Sequence, residues 1–128
     1  MKHIALLILP ALAACATVSQ AAPTLTGSHW RFVTIDGAAP VSDRTELSFE
    51  AERLGANVGC NGMGGSWRME GGHLVTDGII STMMYCDGKM AQEHAVSQLL
   101  ETRPEVSLAD DRLTLRSASH SAQLVRVR

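Results

Sequence analysis

Three cysteines, five histidines and six methionines carry the reactive side chains of this 128-residue chain. Cys60 or Cys86 could serve as a nucleophile with His29, His73, His94 or His120 as base, the pairing a thiol hydrolase needs. Cys60, Cys86 and two histidines also meet the ligand count of a zinc site. Neither pattern has supporting spacing: there is no C-x₂-C, no H-x₃-H and no recognised cysteine-protease context. Met, Cys and His are the ligand types of Cu(I), but no M-x-M or H-x-x-M repeat occurs. The glycine-rich stretch after Val58 lacks the Lys-Ser/Thr of a phosphate loop. Asp43, Glu46, Asp77 and Asp110 are scattered carboxylates that spacing does not pair for acid–base work. The expectation is no enzyme, no metal and no cofactor. A thiol- or metal-dependent hydrolase using Cys60 or Cys86 is the alternative.

Cys15 reads differently. Met1-Lys2-His3 gives a short positive start, and Ile4 to Leu9 is an apolar run broken by Pro10. That run is far shorter than the roughly 20 residues a membrane span requires, and it has the architecture of a signal peptide. Its end, Leu12-Ala13-Ala14-Cys15, resembles the lipobox of bacterial lipoproteins. The resemblance implies cleavage after residue 14 and lipid attachment at Cys15. Cleavage at Ala11-Leu12-Ala13 or Ser19-Gln20-Ala21 would instead give a soluble periplasmic protein. A diacylated cysteine would supply two chains, which is what stable anchoring requires. Ala16 follows where Asp would favour the inner membrane in enteric-type sorting, so the expected location is the periplasmic face of the outer membrane. Residues 15–26 are small and polar and read as a flexible tether.

The length suits one domain. The formal charge of −2 and the absence of a basic block argue against nucleic acid as a partner. From Gly27 onward the chain alternates in short runs punctuated by turn signals. Strands are expected at Trp30–Ile35, Thr45–Glu50, Leu54–Val58, Ser66–Met69, His73–Thr76 and Ile79–Met83, and around Leu113/Leu115 and Leu124–Val127. One helix is expected across 88–102. Asp87 would be its N-cap, Ala91, Ala95, Val96, Leu99 and Leu100 its apolar stripe, and Pro104 would follow its end. Lys89, Gln92, Glu93 and Gln98 are placed on its outer face. The class is therefore α+β and β-rich: a curved, open-barrel-like antiparallel sheet packed by one main helix.

Two motifs frame the middle of the chain. Gly59-Cys60-Asn61-Gly62-Met63-Gly64-Gly65-Ser66-Trp67 is the denser, and Ser81-Thr82-Met83-Met84-Tyr85-Cys86 precedes the helix. With the Trp30–Gly37 strand and Asp110–Leu115, they resemble the META domain, also called the heat-shock protein HslJ family. The matching positions are Gly59, Cys60, Asn61, Gly65, Trp67, Thr82, Met84 and Cys86, and Glu93 falls where that family's helix carries Glu. Met63 departs from the pattern, where an aromatic is usual, as does Tyr85, where a small residue is common. The resemblance spans about residues 27–127.

Export would put Cys60 and Cys86 where thiols oxidise, and with Cys15 lipidated one pairing remains. A Cys60–Cys86 disulfide is the simplest reading, with two buried free thiols as the rival. The resemblance implies a non-enzymatic envelope module linked to envelope stress or antibiotic tolerance. Its partners would be the membrane through Cys15, and an acyl-chain ligand or an envelope protein held between sheet and helix. Methionines around such a groove would suit adaptable apolar contacts, but the plainer expectation is that they fill the core.

Overall fold

The computed structural model describes residues 24–128. The expected signal peptide, Cys15 and residues 16–23 of the expected tether lie outside them. Nine strands and one helix follow in the order β1 (Ser28–Ile35), β2 (Glu46–Phe49), β3 (Arg53–Asn57), β4 (Met63–Glu70), β5 (His73–Thr76), β6 (Ile80–Ser81), α1 (Met90–Glu101), β7 (Glu105–Ala109), β8 (Arg112–Arg116) and β9 (Ser121–Val127). The sheet order is β3-β2-β1-β9-β8-β7-β5-β4-β6, and β3 also pairs with β4. That pairing closes eight strands into a ring, whereas the sequence suggested an open barrel. Closure satisfies the ladder groups that an open sheet leaves exposed at its edges. Only β6 lies outside the ring, appended to β4 at Met63↔Ser81 and Gly64↔Ile80.

The alternating apolar positions fill the interior. Trp30, Phe32, Leu47, Phe49, Leu54, Leu74, Leu113, Leu115 and Leu124 are all buried in one cluster. Strict alternation would place Ile35 on the outer face with Val33. The β1–β9 register instead shifts between Phe32 and Thr34. The extra residue of this bulge turns the following side chains over, so Ile35 joins Trp30 and Phe32 inside. Leu25 is also buried, and Gly27 donates its N–H to Phe49 O at 2.6 Å. The packed domain therefore reaches back past the expected boundary at Gly27.

β4 begins at Met63, so Gly64 and Gly65 lie within a strand rather than in the loop their composition suggests. Gly65 is required there: an added Cβ would sit 2.5 Å from Gly78 O. β7 carries the weakest sequence signal, two alternating apolar residues, Val106 and Leu108, that stay half-buried. The β5–β7 seam is correspondingly thin. It holds one register pair, His73↔Glu105, flanked by Leu74 N–H to Pro104 O and Val106 N–H to Gly72 O, each 2.9 Å.

Helix α1 packs beside this seam, against β5 and β1. Ala95, Val96, Leu99 and Leu100 enter the barrel's core, and Thr76 Oγ1 donates to Leu100 O at 2.9 Å. Asp87 is not the N-cap. The cap position is Lys89, with no side-chain cap bond. Gly88 has φ +75°, outside the helical region, so the helix cannot start before it. The expected stripe is also rotated slightly: Ala91 is exposed and Glu93 is buried.

Candidate functional site

A polar centre forms where three segments meet: the β3–β4 loop (58–62), the β6–α1 segment (82–89) and the first turns of α1. Cys60 and Cys86 are joined there by a disulfide, with Cα atoms 5.9 Å apart. Gly59 precedes it at φ +119°, and a Cβ on it would lie 2.5 Å from Ser42 Cβ. Its N–H donates to Asn57 Oδ1 at 2.7 Å. Lys89 Nζ donates to Gly59 O at 3.4 Å.

Asn61 occupies the middle and is nearly inaccessible to solvent. An amide side chain offers two donors and two acceptor positions, and all four are used. Nδ2 donates to Glu93 Oε2 at 2.8 Å and to Met84 O at 2.9 Å. Oδ1 accepts from Met84 N–H at 2.7 Å and from Thr82 Oγ1 at 2.9 Å. The Asn61 N–H donates to Glu93 Oε1 at 2.7 Å. Glu93 is 8% exposed, and Asn61 supplies a donor to each of its carboxyl oxygens. Thr82 completes the set: its hydroxyl accepts from Gly62 N–H at 3.2 Å, and its own N–H donates to Gly62 O at 3.1 Å. Among the described residues no buried side-chain polar atom lacks a partner. A fully satisfied buried network of this kind specifies one arrangement, because any other leaves costly orphans.

The consequence is a pinned but uncovered segment. Ile80 is 77% exposed, Met83 95%, Met84 57% and Tyr85 78%. The expectation that methionines fill the core therefore holds for Met63, which is buried, and fails for Met83 and Met84. Between this segment and α1 lies a shallow cleft of about 230 Å³ lined by Met83, Met84, Tyr85 and Met90, with Asn61 and Glu93 also on its wall. A larger cleft of about 600 Å³ on the Cys60 side is polar, lined by Ser42–Glu46, Asn57, Gly59 and Lys89.

The motif residues named from sequence thus divide into two groups. Gly59, Cys60, Asn61, Thr82, Met84 and Cys86 converge. Gly65 and Trp67 do not; they build the barrel wall. Trp67 meets Phe49 edge-on, with centroids 4.9 Å apart, and its Nε1–H donates to Glu50 O at 2.9 Å. The helical pattern predicts Glu93 on the outer face, yet it is the carboxyl that closes the network. The signal lay in the same pattern, since Glu93, Val96 and Leu100 fall at i, i+3 and i+7 on one stripe.

The hydrolase alternative has no support in this geometry. Its two sulfurs are bonded to one another, and a thiolate nucleophile requires a free sulfur. Among the described residues no histidine hydrogen-bonds either sulfur, and no three His, Cys, Asp or Glu side chains cluster as metal ligands. His29 lies beside Glu46 at 3.5 Å, and His73 Nδ1 is 3.2 Å from Gly71 O. His94 is exposed. His120 bridges Asp36 (2.8 Å) and Gln98 (2.9 Å), tying the β1 turn to α1. The spacing of 84 residues between Asp36 and His120 gave no hint of that contact. Burial pushes the Asp36 carboxyl up. The Ser121 N–H and His120 more than offset it and hold it below its ordinary value.

A family model for the META domain matches residues 23–128. No curated protein matches the chain. Among solved structures, one protein solved by NMR is 23% identical, with a TM-score of 0.71 over 79% of this chain and 90% of its own. A second NMR structure, of a protein from Burkholderia xenovorans, is 20% identical, with a TM-score of 0.65 over 80% of this chain and 83% of its own. These two likenesses establish a shared fold, and the family model covers every element described above: the chain belongs to the META domain family.

Proposed function

We propose that this chain is a non-enzymatic envelope lipoprotein, anchored through lipidated Cys15, whose META domain is a binding module. The observation that carries the binding reading is the exposed Ile80, Met83, Met84 and Tyr85 on a segment held by a disulfide and by Asn61. Exposed apolar patches on small soluble domains mark docking sites for proteins, ligands or membranes. Rigid pinning keeps the entropy lost on docking small, and methionines suit adaptable apolar contact. The occupant is an acyl chain or an apolar surface of an envelope protein. A role in envelope stress or antibiotic tolerance is the expectation that the family resemblance adds.

Two measurements test this. Cys15→Ser should move the protein from the membrane to the soluble fraction, and continued membrane association would contradict the anchor. Native mass spectrometry of the untagged protein, together with crosslinking from a photoreactive residue at position 83, should give a bound acyl mass or a discrete envelope-protein adduct. A clean apo mass with no adduct above that of a probe on the exposed β7–β8 turn would contradict the binding module.

A further inference from the structure

The sulfur atoms of the folded domain are unevenly protected. With Cys60 and Cys86 already joined, the sulfurs still open to two-electron oxidation among the described residues are the thioethers of Met63, Met69, Met83, Met84 and Met90. Met63 is 4% exposed inside the barrel. Met69 is half-buried against the core. Met90 Sδ accepts the Cys86 N–H at 3.5 Å, which engages a lone pair. Met83 stands almost fully in solvent, and Met84 is more than half exposed.

We infer that Met83 is a methionine-oxidation site built into the native surface, with Met84 as its slower neighbour. The reaction needs only a hydroperoxide. The thioether lone pair attacks the terminal peroxide oxygen, an S–O bond forms and the O–O bond breaks. Sulfur loses two electrons, and the peroxide is reduced to an alcohol, or to water from hydrogen peroxide. The peroxide's own proton moves to the departing oxygen, so no net proton is consumed. Reactivity of this kind follows exposure, and reduction by a sulfoxide reductase reverses it.

The anchors of the segment make the change tolerable. Met84 is held through its N–H and C=O, and Thr82 through its hydroxyl and N–H. None of these bonds uses the Met83 or Met84 sulfur. A sulfoxide can therefore form without loosening the Asn61 network or the disulfide. It would place a strong dipole beside the exposed Met84 and Tyr85, which line the same cleft. The chemistry rests on exposure alone; its effect on partner affinity rests on the docking reading above.

The test is hydrogen peroxide treatment of the folded full-length protein, followed over time by peptide-mapping mass spectrometry and near-ultraviolet circular dichroism. Met83 should gain oxygen first, about tenfold or more faster than Met63, with the native spectrum unchanged. Met83→Leu should leave Met84 as the fastest remaining site without altering the spectrum. Oxidation of Met63, Met69 or Met90 at or ahead of Met83 would overturn the inference, as would Met83 oxidation that appears only with loss of the native spectrum. Met83 oxidised readily in a protein that binds nothing would uphold this site and sink only the docking reading.

Discussion

The barrel wall and the Asn61 centre are stabilised by opposite means. The wall depends on volume: Trp30, Phe32, Phe49 and a set of leucines fill one interior, and burial of each contributes about 1.5–3 kcal/mol with little directional demand. The centre depends on direction. Asn61, Glu93, Thr82 and the Met84 backbone match donor to acceptor at every position. The first kind of region accepts chemically similar replacements. The second rejects even isosteric ones. The exposed 80–86 segment is attached to the second kind.

Four changes would break or sharpen that contrast. The largest effect is expected for Asn61→Asp, which keeps the side chain's size but turns a donor into an acceptor facing Glu93 and Met84 O. Two buried carboxyls then oppose each other, and a cost of about 3–5 kcal/mol at neutral pH should appear in urea unfolding. It should be partly relieved in acid. Next, replacing both Cys60 and Cys86 by Ala removes a crosslink between residues 26 apart in sequence. The chain-entropy model gives a loss of about 3.5 kcal/mol for a loop of this size, read as a lower urea midpoint. By contrast Leu124→Met in the wall should cost under about 1.5 kcal/mol. A larger loss there than for Asn61→Asp would erase the distinction. The smallest effect concerns Asp36. Its folded-state carboxyl is held below the ordinary value of 3.8, so its contribution is complete above that value and is lost as pH falls through the lower, folded one. In Asp36→Asn, unfolding followed against pH should show a shallower loss of stability below about pH 4 than the parent protein does.

Much of the wall was legible because period-2 alternation is a direct image of one buried face. β2, β3 and β5 fall within a residue or two of where alternation predicts them. The failures have local causes. Ile35 faces inward because a bulge, which no composition announces, inserts one residue after Phe32. β4 starts early because Gly64 and Gly65, discouraging for a strand by propensity, admit close backbone approach. Ring closure depends on β3 meeting β4 and on the thin β5–β7 seam, both tertiary outcomes. At the polar centre, the motif residues pointed to the right segments. What they do there was less visible: Glu93 was assigned to solvent because charge outweighed its position on the Val96–Leu100 stripe. Exposure of Met83 and Met84 follows from Asn61 gripping the Met84 backbone, a constraint that hydrophobicity cannot register.

Amide hydrogen exchange at Met84 tests the account most directly. Its side chain is open to water, so a loosely held loop would leave its N–H unprotected. If Asn61 Oδ1 holds that N–H at 2.7 Å as described, the amide should exchange only through large-scale opening, orders of magnitude slower than an unstructured amide. Exchange at the unprotected rate, in protein whose barrel amides remain protected, would contradict the claim that the Asn61 network fixes the exposed segment.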